Sequence, residues 1–243
     1  MKIQIIGSGS MWTKYNSACY LIDEDIMVDF PNGACKYLYR QGIKPNTINH
    51  ILITHFHGDH YFDLPFYILN KSKSENKNAI IYCSKEGIDK VNLIGNLAFS
   101  NSYQEICSEM NITFNNDDEF TIKDYQVEKK LVDHGRMKPA YGFIFKKDDI
   151  FVGFTCDTSL CESIEQMAKE CSYLFCNCKL LEGNTKHQGI DNLKYLSSKY
   201  QDCTFVVSHL DDITREKLKE LSITNIVIPE DYQIIQIKNV ETL

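Results

Sequence analysis

The sequence predicts a mixed α and β fold in which layered sheets carry helices on their outer faces. Three observations point there. Short β-branched and aromatic runs alternate with helical patterns from end to end. Several of the apolar runs lack polar alternation, as expected of strands covered on both faces. At 243 residues, 43% hydrophobic and 24% charged, the chain can bury a substantial core. Sheets covered on both faces require a further layer outside them, which the helical segments supply.

In order, strands are expected at KIQII (2–6), CYLI (19–22), IMVDF (26–30), HILIT (50–54) and AIIYC (79–83). QVEKKLV (126–132), YGFIF (141–145), IFVGFT (150–155), YLFCN (173–177), TFVVS (204–208), NIVIP (225–229) and QIIQI (233–237) follow. Helical spacing is found over 34–41, 62–70, 102–110, 160–170, 190–200 and 212–220. No Pro/Gly/Ser-rich linker divides the chain, and NKSKSENKN (70–78) reads as a polar loop, so one domain over 1–243 is expected.

Composition narrows the function classes. No secretory leader and no apolar run of membrane-spanning length are visible, so a cytoplasmic protein without a membrane partner is expected. Ten cysteines scattered through a chain of this size read as reduced thiols, and Cys176 and Cys178 as core strand residues. The formal net charge of −7 disfavours a broad electrostatic grip on nucleic acid.

Chemistry concentrates at THFHGDH (54–60), where His55, His57, Asp59 and His60 fall within six positions of a chain with seven histidines. If extended backbone persists to residue 57, His55 and His57 project to one side. Gly58 then lets the chain turn so that Asp59 and His60 point back. A helix is expected from FDLPFYIL, with Asp63 as cap and Pro65 in the first turn. Imidazoles with a carboxylate suit zinc, with iron or manganese as alternatives. Four such groups on one short loop crowd a single ion, and two adjacent ions relieve the crowding.

HxHxDH after an apolar strand resembles the metallo-β-lactamase superfamily, in its ribonuclease Z-like and phosphodiesterase branch. LVDHG, GFTCDTS and FVVSHL supply His134, Asp157 and His209 in the order that family requires. The resemblance implies an α+β, four-layer αββα sandwich with a two-metal site. It assigns His55, His57 and His134 to one ion, Asp59, His60 and His209 to the other, and Asp157 as a bridge. A histidine at position 57 favours hydrolysis over the redox chemistry of superfamily members with HxExD.

His187, 22 residues before His209, is similar to the branch's extra histidine, which assists phosphate binding or leaving-group protonation. GSGSMWTKYNSACYLI (7–22) resembles the loop after the family's first strand, with Asn16 near the metals and Tyr15 where the family has arginine. Trp12 and Lys14 are candidates for a pocket wall, with a packing role for Trp12 as the alternative. Only 23 residues separate His134 from Asp157, too few for the basic arm common in transfer RNA-maturing members.

The expectation is therefore a metallohydrolase, specifically a phosphodiesterase, acting on a small-molecule phosphodiester through a metal-bridging hydroxide. Asp59 would orient or deprotonate the water, and His187 would protonate the leaving oxygen. Two divalent ions are implied, zinc first, with Mn2+ or Fe2+ as alternatives. Lactone or thioester hydrolysis, a tRNA 3′-processing nuclease and a non-catalytic metal-binding protein are the alternatives. Nucleic acid is a less favoured partner and a homodimer is allowed. Lys129, Lys130, Arg136 and Lys138 flank His134 as candidate anion contacts, and His50 is read as structural.

Overall fold

The computed structural model describes residues 1–238. Strands β1 (Lys2–Gly7), β2 (Cys19–Ile22), β3 (Ile26–Val28), β4 (His50–Leu52), β5 (Asn78–Tyr82) and β6 (Asn111–Asn115) lie side by side in one sheet. A second is built from β7 (Glu119–Ile122), β8 (Tyr125–His134), β9 (Met137–Lys147), β10 (Ile150–Phe154), β11 (Tyr173–Asn177), β12 (Thr204–Ser208) and β13 (Ile226–Val227). Finally β14 (Ile234–Gln236) returns to pair antiparallel with β1. The sheets repeat one plan: β1–β3 and β7–β10 are antiparallel, whereas β3–β6 and β10–β13 are parallel. Parallel neighbours need crossovers, and helices supply most of them.

Helices α1 (Ala34–Arg40), α2 (Gly58–Tyr61), α3 (Leu64–Ser72), α4 (Lys85–Phe99) and α5 (Ser102–Ser108) belong to the first half of the chain. Those of the second half are α6 (Glu162–Glu170), α7 (Ile190–Lys199) and α8 (Asp212–Lys219). Three apolar layers result. Ile3, Ile5, Tyr20, Leu52, Phe143, Phe145, Phe154 and Phe175 fill the space between the sheets. Leu38, Tyr67, Ile68, Val91 and Tyr103 join the first sheet to its helices, and Ile144, Ile164, Met167, Leu193 and Leu218 do so for the second. On β9 the period-two alternation is plain: Phe143 and Phe145 face the inter-sheet layer while Ile144 faces the helices. The expected αββα sandwich is thus present, and the missing polar alternation has its cause in these two-sided layers.

Several elements depart from the sequence reading. Helix α4 and strands β6 and β7 were not anticipated. Gly87 and Gly95 weaken the helical signal of α4, but they are where aromatic rings dock: a Cβ on Gly95 would lie 2.1 Å from the Tyr103 ring, and one on Gly87 2.2 Å from that of Phe56. Packing against those rings overrides propensity. The ladder of β4 stops at Leu52, short of the expected strand end. Among the described residues no helix is long and apolar enough to cross a membrane.

Candidate metal centre

The parallel register of β10, β11 and β12 aligns Phe154, Phe175 and Val206. Three residues beyond the outer two lie Asp157 and His209, which are therefore delivered together at the carboxyl end of the second sheet. His134 ends β8. From the first sheet, the segment after β4 crosses over and is tied to the second by Tyr141 N–H donating to the Thr54 carbonyl at 3.0 Å. All strand ends that carry candidate ligands therefore meet at one edge.

His55 and His57 do face one side although the ladder has ended: His55 Nε2 and His57 Nδ1 are 3.0 Å apart, and His134 Nε2 is 3.2 Å from the same His57 atom. Gly58 does not turn the chain through a left-handed conformation; it begins α2, which carries Asp59 and His60 inward. Asp63 and Pro65 occupy the expected start of α3, but the Asp63 carboxylate accepts instead from Cys35 N–H at 2.9 Å, in the first turn of α1. His60 Nε2 lies 3.5 Å from Asp157 Oδ2 and 3.8 Å from Asp59 Oδ2; His209 Nε2 lies 3.2 and 3.4 Å from the same two atoms. Four overlapping groups result: His55–His57–His134, His55–His60–Asp157, Asp59–His60–His209 and His134–Asp157–His187. Within each, the donor atoms lie within 4.8 Å of one another.

The outer hydrogen bonds orient these rings. Lys186 carbonyl can only accept, so His134 Nδ1 carries the proton at 2.7 Å and Nε2 is left with a lone pair. Asp29 Oδ2 holds His60 Nδ1 at 2.7 Å in the same way. Thr54 Oγ1 gives its proton to Asp29 and stands 3.1 Å from His55 Nδ1, ready to accept from it. His134 and His55 thereby turn bare Nε2 atoms toward a common space, and His60, anchored from behind by Asp29, turns its Nε2 to the same space, the arrangement by which histidines are set for a metal. Among the described residues, buried Asp59 Oδ1, His60 Nε2 and His209 Nδ1 have no hydrogen-bond partner, and an orphan of that kind costs about 1–3 kcal/mol. A divalent cation fits this donor set of imidazoles and carboxylates.

Electrostatics separate the groups. Burial opposes the Asp157 carboxylate, but His209 and His60 outweigh it and hold its pKa well below the usual range. Asp59 is held at about 2 against its burial, by the His209 hydrogen bond and by His60. Burial disfavours a charged His60, yet Asp29 and Asp157 push its pKa well up. His55 is driven well down by burial and by His60, against the opposing pull of Asp157. His187 stacks on His209 with ring centroids 5.4 Å apart, and its Nδ1 is 3.8 Å from Asp157 Oδ2. Burial lowers its pKa to about 3.

Sequence reasoning missed several contributors. Asp29, at the end of IMVDF, adopts φ 61° and anchors both Thr54 and His60. Tyr20 donates to Ser208 beneath His209, and Asn177 lies 3.4 Å from His187 Nδ1. Aspartate ending an apolar strand was the available signal for Asp29, but only the fold pairs it with residue 60.

The other residues singled out in the sequence meet mixed outcomes. Asn16 donates its amide to the Ile6 carbonyl, a bond that holds the loop after β1. Tyr15 lies under the Arg215 guanidinium at 3.9 Å. Trp12 has no packing role: it is 85% exposed. Lys129 is buried, donating to the Asn116 carbonyl, and Lys130 pairs with Glu128, so neither is a free anion contact. Cys176 and Cys178 are buried in the core as expected, and His50 Nδ1 is 3.1 Å from the Tyr82 hydroxyl, a structural contact.

Known proteins agree with this fold. Ribonuclease Z of Pyrococcus horikoshii is 31% identical over 128 residues, which is 52% of this chain and 40% of that protein; the match thus spans less than half of the relative. The metallo-β-lactamase fold protein YhfI of Bacillus subtilis superposes with a TM-score of 0.76 at 13% identity, covering 97% of this chain and 99% of that one. Human tRNase Z, short form, gives 0.74 at 16% identity, covering 98% and 100%. The architecture is the metallo-β-lactamase fold. A family described as Anti-Pycsar protein Apyc1 matches residues 1–230, and the chain belongs to that family.

Proposed function

We propose that the protein is a metal-dependent hydrolase, a phosphodiesterase acting on a small phosphodiester. His55, His57 and His134 would hold one divalent ion, Asp59, His60 and His209 a second, and Asp157 would stand between them. Zinc suits the imidazole-rich set best, with Mn2+ or Fe2+ as alternatives. When bound, two such ions supply a nucleophilic water at neutral pH and neutralise charge on the attacked group.

The chain's own residues do the rest. Asp59 turns Oδ2 toward His60 and His209, leaving the partnerless Oδ1 to accept a hydrogen bond from the attacking water. With its carboxyl held at about 2, Asp59 orients that water rather than storing its proton. His187 stands beside the ligands and is the proposed proton donor to the leaving oxygen. Burial keeps it neutral by itself, so the anionic phosphate placed next to it is what brings the proton on. Asn177, 3.4 Å from Nδ1, orients its ring.

The observation that carries this reading is the His187 ring stacked on His209, a titratable group at the centre beyond the seven proposed ligands. The short span from His134 to Asp157 favours a small substrate over transfer RNA. The test is elemental analysis of protein purified without chelator, followed by a panel of bis-p-nitrophenyl phosphate, cyclic nucleotides, lactones and thioesters. Two ions per chain with turnover of phosphodiesters alone is expected. Lactone or thioester turnover alone overturns the phosphodiesterase reading, and inertness of the metal-loaded protein toward the whole panel favours a non-catalytic binder.

A further inference from the structure

His209 is aimed differently from three other proposed ligands. His134, His60 and His55 each have an oxygen behind the ring at Nδ1, whereas His209 Nδ1 is buried with no hydrogen-bond partner among the described residues. Apart from the His187 stack, its direction is therefore set by its backbone. That backbone is left-handed, at φ 54°, a conformation that a residue with a β-carbon keeps only where its surroundings impose it.

The chain is clamped on both sides of His209. Before it, Cys178 N–H donates to the Ser208 carbonyl at 3.0 Å; after it, Leu210 N–H donates to the Ser8 carbonyl at 3.3 Å and Ser10 N–H to the Leu210 carbonyl at 3.1 Å. Ser8 is itself gripped through its side chain. Its hydroxyl accepts from Arg215 Nη2 at 2.7 Å and donates to Asp231 Oδ1 at 2.8 Å, and the same carboxylate oxygen accepts from Ser8 N–H at 3.0 Å. Arg215 Nη1 donates to the Pro229 carbonyl at 2.7 Å while the guanidinium lies over the Tyr15 ring.

Arg215 is 1% exposed, and its Nε has no hydrogen-bond partner among the described residues. Asp231 is reached through the Ser8 hydroxyl, and the Glu230 carboxylate stands 3.9 Å from Nη1. A buried charge so paired is a poor source of stability, since well-packed apolar residues in its place often serve as well or better. What the guanidinium supplies is geometry: a planar fork on α8, the helix that follows His209, fixes Ser8 and the Pro229 carbonyl together.

Resting on the reading of His209 as a ligand of the second ion, we infer that Arg215 is a positioning residue for that ion. Acting through Ser8 and Leu210, it holds the left-handed turn of His209 that keeps Nε2 beside Asp59 and Asp157.

The test is a titration of metal-free protein with Zn2+ against a chromophoric chelator, in the parent, Arg215→Met, Ser8→Ala and His209→Ala, with near-ultraviolet circular dichroism as the check on folding. The parent should bind two ions and His209→Ala should lose one. Arg215→Met should bind the second ion about 10- to 100-fold more weakly, as when an outer partner of a metal ligand is lost, and the ion at His55, His57 and His134 as tightly as the parent. Ser8→Ala removes the hydroxyl but keeps the carbonyl, so it should weaken the same ion toward the lower end of that range, and it decides the matter if Arg215→Met does not fold. An arginine with a merely structural role would lower thermal stability without separating the two affinities. Equal weakening of both ions, or an unchanged second ion in the folded variants, overturns the positioning role. His209→Ala keeps the two readings apart. If it retains both ions, or the parent binds fewer than two, the ligand assignment falls and the positioning role with it. If it loses one ion while Arg215→Met and Ser8→Ala bind both as the parent does, the positioning role alone falls.

Discussion

Asp29 and His60, 31 positions apart, meet in a buried 2.7 Å hydrogen bond between Oδ2 and Nδ1. The bond leaves His60 Nε2 facing Asp59 and Asp157 without a partner. The same carboxylate accepts from Thr54 N–H and Oγ1, so one aspartate sets both a proposed ligand and the start of the ligand loop.

Asp29→Asn keeps a side chain tolerant of the left-handed backbone at this position but removes the charge behind His60. Metal affinity should fall about 10- to 100-fold, as for other outer partners of metal-binding histidines, while the fold is retained. Competition against a chromophoric chelator measures this, and an unchanged affinity would refute the role given to Asp29.

His187→Ala should keep its metal, whereas His60→Ala and Asp157→Ala should lose it along with turnover. If His187 protonates the leaving oxygen, its loss should be felt mainly by substrates with alkoxide leaving groups, by about 10²- to 10⁴-fold in kcat. The p-nitrophenolate of bis-p-nitrophenyl phosphate needs little protonation and should be affected much less. Equal loss on both substrates would remove the proton-donor role.

In metal-free protein, burial holds His187 at about 3, against an unperturbed value of about 6.5. Below about 6.5 the unfolded chain takes up a proton that the folded chain refuses. The contribution of this histidine is therefore complete above that pH and is lost as the pH falls toward 3. Urea denaturation of the metal-free protein from pH 7 to pH 5 should show declining stability, with a shallower decline in His187→Gln.

Gly95→Ala tests the packing of α4. In an exposed helix interior the change gains about 1 kcal/mol. Here the new methyl would sit 2.1 Å from the ring of Tyr103, itself 1% exposed, so a loss of about 1–3 kcal/mol is expected from overpacking. Thermal and urea unfolding give the sign.

What was legible in the sequence was local or periodic. The apolar runs of β9 and β12, the helical spacing of α6 to α8 and the density of histidines at 55–60 each express themselves within a few residues of chain. Helix α4 was hidden because Gly87 and Gly95 lower propensity locally, while their compensation, the rings of Phe56 and Tyr103, comes from distant positions.

By itself the sequence determined the strand-rich layered plan and a donor set, imidazoles with two aspartates, whose chemistry asks for divalent metal. Only the tertiary structure decided which nitrogen each ring turns inward, that Asp29 and the Lys186 carbonyl stand behind His60 and His134, and that Trp12 remains in solvent. The physical reason is that ligand identity is a property of side chains, whereas tautomer, orientation and pKa are set by neighbours in space. For His60 the carboxylate that sets them comes from the end of β3, and for His134 the carbonyl comes from the loop after β11.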